Sequence, residues 1–314
     1  MDRGLTENPP AGLSRTAPHA PQDASLPSKL ASLVRYRFFL YAGLLPYLLG
    51  AAWAYGVERE FRAGIFWLGF LGIFLSVVGV ESFNEYFDAR MGTDRVFNPS
   101  DDEYIPEWMF WLGVGAFAVA ASIGFYLAWE GGWPIAVYTL LGGLAAVFYV
   151  GPPIRWVYRG LGETAIGLSY GPWMTLGSLE LYTHRFSWPA LAASLVPGFL
   201  ITSLAVVNEI PDFYQDRLVG KRNLVVRLGR RNGVFLYAGF AALGLLMPCV
   251  GSWLGIFPRW TPLAALAGLP LLFLSVKHAL KSWDSPRNFI PAIKYVVLCY
   301  LVATLVFTVA VLIP

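Results

Sequence analysis

Asn208-Glu209-Ile210-Pro211-Asp212-Phe213-Tyr214-Gln215-Asp216 follows directly on an apolar run that begins at Pro189. Positions 208, 212 and 216 are spaced i, i+4, i+8, so a helix that continues past the run sets their oxygens along one stripe. An earlier stretch repeats the pattern. Asn84-Glu85-Tyr86-Phe87-Asp88 follows the apolar run Ala63–Val80, and Asp94 comes after Met91-Gly92-Thr93. There Gly92 lets the chain leave the helix and Asp94 turn back. Two copies of Asn-Glu-x-x-Asp, each at the end of an apolar helix, define the organisation of the chain.

The composition says what those helices are. Hydrophobic residues make up 56% of the 314 positions and charged residues 14%, with a mean hydropathy of +0.55. A soluble domain carries about 25% charged residues. A membrane-spanning helix needs about 20 mostly apolar residues. Nine runs qualify: Phe38–Val57, Ala63–Val80, Trp108–Trp129, Pro134–Val150, Thr164–Leu179, Pro189–Val207, Gly233–Phe257, Thr261–Val276 and Tyr295–Ile313. Residues 1–29 hold five prolines and little that packs, and read as a disordered tail before a single intramembrane domain over 30–314. Cys249 and Cys299 both lie in apolar runs, which argues against a disulfide framework or a thiolate metal site. With three histidines in the chain, a His-based triad or multi-His centre is excluded in practice.

Basic residues orient the spans. If the tail and the loops after even-numbered spans share one side, that side holds nineteen Lys and Arg and the other holds Arg59, Arg62, Arg185 and Arg259. The richer side is cytoplasmic by the positive-inside rule. Both Asn-Glu-x-x-Asp motifs then end on it, four spans apart. The expected fold is all-α and polytopic, with about nine transmembrane helices in two parallel four-helix repeats plus a terminal helix. The expected place is the cell (inner) membrane, multi-pass, with the site on the cytoplasmic side.

Hard oxygen ligands at two facing helix ends suit Mg²⁺, which prefers a few carboxylates with waters and substrate phosphates to a closed protein cage. A single Asp at a membrane boundary reads as a solvated helix-end charge; two matched copies favour a diphosphate clamp, because ionisable groups at membrane depth are costly to desolvate. Glu85, Glu209 and Glu81 either support such a site or face another helix. Arg90, Arg95, Lys221 and Arg222 adjoin the acids and could cover phosphate oxygens, though basic residues here also enforce orientation. Gly151-Pro-Pro-Ile-Arg155-Trp-Val-Tyr158-Arg159-Gly-Leu-Gly-Glu163 breaks the helix between spans four and five and places Arg155, Tyr158, Arg159 and Glu163 on the same face. An ordinary tight connection would look the same. Tyr149, Tyr158 and other aromatics near the motifs either surround a prenyl chain or pack.

These residues resemble the UbiA-type intramembrane prenyltransferase superfamily over nearly the whole chain after residue 30. The Gly92-x-Asp94 ending, the Gly160-Leu-Gly-Glu163 loop and the run from Lys221 through Arg227-Leu-Gly229 are similar to the branch that prenylates 1,4-dihydroxy-2-naphthoate on the way to menaquinone. The resemblance implies that Asn84, Asp88, Asp94, Asn208, Asp212 and Asp216 hold Mg²⁺ and the diphosphate. It implies as partners a prenyl diphosphate donor, a small aromatic acceptor and the lipid bilayer, with no nucleic acid. Two departures stand out. Glu85 replaces the family's usual Asp, and no Lys or Arg occurs from Val96 to Ile154, so phosphate coverage falls to Arg90, Arg95, Lys221 and Arg222. Arg155 or Arg159 would meet an acceptor carboxylate. The rivals are the same fold with another acceptor (4-hydroxybenzoate, homogentisate, a porphyrin or a glycerol phosphate lipid) and a transporter of phosphorylated lipid or divalent cation. Transporter sites lie nearer the bilayer midplane.

Overall fold

A computed structural model describes residues 38–91 and 107–313, with side chains from 43 to 87 and from 107 onward. The tail, Asp94 and Arg95 lie outside the described residues, as do the side chains of Asp88 and Arg90. Among the described residues every regular element is helical. In chain order these are α1 (Phe38–Trp53) with a π turn at Ala54–Glu58, α2 (Ala63–Met91), α3 (Trp108–Gly131) and α4 (Trp133–Val150). A 3₁₀ turn at Trp156–Arg159 leads to α5 (Gly162–Leu168), a π turn at Ser169–Trp173, and α6 (Met174–Thr183). Then come α7 (Trp188–Leu218), the short α8 (Leu224–Leu228), α9 (Arg230–Trp253), α10 (Leu263–Ser282) and α11 (Pro286–Leu312).

Seven of the described helices, α2, α3, α4, α7, α9, α10 and α11, are long and apolar enough to cross a membrane. The other two expected passages are helical in pieces. Residues 38–57 are covered by α1 and its π turn, and residues 164–179 by α5, the π turn containing Pro172, and α6.

The two motif-bearing helices outrun their apolar stretches. Both α2 and α7 continue about three turns past the expected span ends at Val80 and Val207. Pro211 does not end α7, because a proline removes one internal hydrogen bond and the surrounding turns carry the helix through to Leu218. Asp88, Asp212 and Asp216 therefore stand on regular helix, as their spacing required.

Packing repeats between the halves. Helix α2 lies on α3 as α7 lies on α9, while α11 packs on α10 and reaches both α1 and α7. Helix α7 is central: its most apolar window is 78% buried, against 17–50% in the other six long helices. Ile201, Leu204, Val207 and Ile210 on it are fully enclosed. The rest present apolar side chains outward, including Trp67, Leu266 and Phe273, as a lipid-facing surface does. Exposed Trp108, Trp129, Trp133, Trp188 and Trp253 sit at helix ends, where indole rings favour the membrane interface.

Loop contacts group the connections at two ends of the bundle. Arg185 pairs with Glu58 at 3.3 Å and Glu60 at 3.0 Å, joining two loops assigned to the outer side. These exposed pairs contribute at most about 1 kcal/mol each. On the opposite end, the 151–161 connection docks on residues 221–229. Arg227 donates from Nη2 to the Arg159 carbonyl at 2.6 Å and from Nε to the Arg222 carbonyl at 2.8 Å. Gly160 allows this approach. Its φ is +72°, and a Cβ there would come within 2.7 Å of both the Arg222 carbonyl oxygen and the Arg227 guanidinium.

Candidate active site

A cavity of about 680 Å³ opens among α2, α3, α4, the α5–α6 passage and α7. Its polar end gathers Asn84 from the first motif with Asn208, Asp212 and Asp216 from the second, and adds Lys221, Glu209 and Asn223. The rest of its wall is mostly apolar, with Ile73, Val77, Phe117, Ile123 and Phe148 among its residues. Two motifs separated by four helices in sequence thus meet at one site.

The second stripe is held firmly. Asp216 is 4% exposed; Asn223 donates from Nδ2 to its Oδ2 at 2.7 Å and Lys221 Nζ lies 3.5 Å from its Oδ1. The Lys221 backbone N–H also donates to the Asp216 carbonyl at 2.8 Å, which curls the chain back at the end of α7. Asn223 then caps α8, its Oδ1 accepting from Val226 N–H at 2.8 Å. Asn208 commits its amide nitrogen to the Leu204 carbonyl at 2.9 Å. Asn84 Oδ1 is enclosed and has no hydrogen-bond partner.

That orphaned oxygen is a test of whether Mg²⁺ fits. A buried acceptor without a donor is costly, and each one calls for an explanation. Asn84, Asn208, Asp212 and Asp216 together form an open set of hard oxygen donors, which suits a cation that keeps waters and substrate phosphates in its shell. No group of three His, Cys, Asp or Glu side chains converges on one point among the described residues. The acids that would complete such a group, Asp88 and Asp94, belong to the first motif; Asp88 lies one turn beyond Asn84 on α2, and Asp94 falls outside the described residues.

The other expected site residues divide. Tyr149 and Lys221 line the cavity; Arg155, Tyr158, Arg159, Glu163 and Arg222 do not. Arg155 stacks over the Tyr158 ring at 5.6 Å, and Arg159 donates to the Pro153 carbonyl at 3.4 Å. Arg222 is exposed. Glu163 is 1% exposed and accepts the Leu224 N–H at 2.6 Å, which ties α5 to the loop carrying Lys221 and Asn223. Glu209 faces Glu163, carboxyl to carboxyl. Lys221 is the one basic side chain lining the cavity among the described residues.

Asn223 escaped the sequence reading. An Asn before Leu-Val-Val is a capping signature, but its amide reaches Asp216 through a loop closure that spacing alone does not reveal. Ser169, which the sequence reading did not single out, and Glu81, which it left open between supporting the site and facing another helix, also line the cavity.

Comparison with known proteins places this geometry. The chain is 25% identical over 285 residues to 1,4-dihydroxy-2-naphthoate octaprenyltransferase of Bacillus subtilis, covering 88% of this chain and 89% of that protein. It is 24% identical to 2-carboxy-1,4-naphthoquinone phytyltransferase of Synechocystis, with 88% and 91% covered. The fold is similar to that of a UbiA homologue from Aeropyrum pernix (TM-score 0.62, 14% identity, 84% of this chain and 96% of that one). It is also similar to a UbiA homologue from Archaeoglobus fulgidus bound to DMAPP and Mg²⁺ (TM-score 0.58, 12% identity, 87% and 96% covered). Residues 43–296, spanning both halves of the bundle and the second Asp motif, match the family directly, and this membrane enzyme belongs to the UbiA prenyltransferase family.

Proposed function

We propose that the chain transfers a prenyl group from a polyprenyl diphosphate to a small aromatic acceptor, with 1,4-dihydroxy-2-naphthoate the acceptor that its relatives favour. The observation that carries this reading is the two-ended cavity: oxygen ligands of both motifs and Lys221 at one end, apolar wall beyond them. A prenyl diphosphate has the same division. The similarity to naphthoate prenyltransferases supports the acceptor.

Asn84, Asp88, Asp94, Asn208, Asp212 and Asp216 would hold Mg²⁺, which when bound neutralises the diphosphate as a leaving group. Lys221 covers phosphate charge from the second motif, with Arg90, Arg95 and Arg222 as further cations on the same side. In the transfer, the allylic C–O bond breaks and its electron pair leaves with diphosphate. A π pair of the ring forms the new C–C bond, and the ring then releases a proton or CO₂. The apolar wall keeps water from the allylic cation. Glu163 positions the Lys221 loop through Leu224. The basic-residue asymmetry supports a cytoplasmic site in the cell membrane, and Arg155 and Arg159, which stand outside the cavity wall, would meet an acceptor carboxylate only before it enters.

The test is incubation of purified protein with Mg²⁺, a prenyl diphosphate and a panel of acceptors, read by mass spectrometry. The reading expects prenylated product from 1,4-dihydroxy-2-naphthoate faster than from 4-hydroxybenzoate or homogentisate. Product from another aromatic alone would overturn the acceptor; no prenylated product from any would overturn the transfer.

A further inference from the structure

The hydroxyls on the cavity wall are not equivalent. Tyr47 donates to the Phe66 carbonyl at 2.7 Å, Ser76 to the Gly72 carbonyl at 2.9 Å, Tyr138 to the Glu180 carboxylate at 2.8 Å, and Ser178 to the Tyr47 carbonyl at 2.7 Å. Ser169 lines the same cavity with its Oγ fully enclosed and without a partner. Helical Ser and Thr usually return their hydroxyl to the carbonyl four residues back, as Ser76, Ser82 and Thr202 do here. Ser169 does not take that bond.

Its place is fixed by packing. Ser169 opens the π turn between α5 and α6, a local form that recurs at functional sites. Gly167 and Gly171 on either side seat the turn on α7. A Cβ on Gly167 would meet Thr202 Oγ1 at 2.4 Å, and one on Gly171 would meet the Gly198 Cα at 2.8 Å. The segment cannot roll to bury Ser169 elsewhere without losing that contact.

A second polar group faces the same space. Glu81 lines the cavity from α2, three residues before Asn84 and so about 4.5 Å deeper along the helix. Tyr170, the residue after Ser169, lines the same cavity. A carboxylate at this depth is costly to retain and marks a functional position. Neither half of the donor suits the pair: a prenyl chain offers no hydrogen bond, and a diphosphate is repelled by Glu81. A ring hydroxyl suits both, because it donates to a carboxylate and accepts from a serine.

Resting on the prenyl-transfer reading, we propose that Ser169 and Glu81 seat a hydroxyl of the aromatic acceptor, one turn deeper than the diphosphate clamp. The seat would select hydroxylated rings and hold them beneath the allylic carbon.

The test uses the full chain in detergent with Mg²⁺ and a non-cleavable prenyl thiolodiphosphate. Calorimetry measures binding of 1,4-dihydroxy-2-naphthoate and of 2-naphthoate, which lacks both hydroxyls. Wild type should prefer the hydroxylated ring by at least about tenfold. Ser169→Ala and Glu81→Gln should each reduce that preference to within about threefold while leaving thiolodiphosphate affinity unchanged, which also reports intact folding. A preference unchanged in both variants overturns the seat, as does loss of thiolodiphosphate affinity in either, which would put the residue in the clamp. Failure of wild type to bind any aromatic while it binds the thiolodiphosphate would instead overturn the acceptor reading on which the seat rests.

Discussion

Asn223 holds Asp216: its Nδ2 donates to the carboxylate at 2.7 Å while its Oδ1 caps the next helix at Val226. One fully buried side chain therefore links the last acid of the second motif to the loop that delivers Lys221. Asn223→Ala removes both bonds. The lost cap costs about 1 kcal/mol, and Asp216 loses the donor that fixes its rotamer. The expected outcome is a folded protein with prenyl transfer reduced by about 10- to 100-fold, measured as steady-state turnover. Asn223→Asp keeps the cap but sets a second carboxylate against Asp216, and should be at least as impaired.

The docked loops at 151–161 and 221–229 give a stability prediction. Gly160→Ala would place a Cβ against the Arg222 carbonyl with φ at +72°, and no small rotamer change relieves a contact with backbone. The loss should be about 1–3 kcal/mol, from strain at the positive φ and overpacking, seen as a lower Tm in detergent. Arg227→Gln, which removes the two hydrogen bonds to Arg159 and Arg222, should lower the Tm as well. An unchanged Tm in both variants would mean that the loops do not depend on this contact.

The fold was legible because its signals are periodic and redundant. Apolar run lengths gave the passages, and the i, i+4, i+8 spacing placed Asn208, Asp212 and Asp216 on one stripe of α7. What spacing could not give is where a loop lands. Arg155 and Arg159 share the face of the Asp motifs in sequence terms, yet neither lines the cavity, and the Arg159 carbonyl is taken by Arg227. Glu163 reads as a substrate group, and its hydrogen bond from the Leu224 N–H depends on the same loop landing. Asn223 and Ser169 were invisible because their significance depends on which neighbour is, or is not, within reach. Interruption of the 38–57 and 164–179 passages by π turns follows from packing that no hydropathy window records.

Sidedness can be measured independently of activity. Arg231 is exposed at the start of α9 on the basic-rich side, and Arg185 is exposed in the opposite loop. A cysteine introduced at Arg231 should react with a membrane-impermeant reagent only when the cytoplasmic face is open. One at Arg185 should react from outside in intact cells. The reverse pattern would invert the topology and move the site to the other face.

The central claim is that acids of two distant motifs act as one magnesium-dependent diphosphate clamp. Asp88 and Asp212 belong to different motifs and different halves, so the most direct measurement compares release of inorganic diphosphate, coupled to prenylated product, in wild type, Asp88→Ala and Asp212→Ala. Each reaction is run with Mg²⁺ and with EDTA followed by Mg²⁺. The expected result is turnover reduced by at least about a thousandfold in either variant, with folding and membrane insertion retained, and wild-type activity that EDTA abolishes and Mg²⁺ restores. Full activity in either variant, or in EDTA, would contradict the clamp.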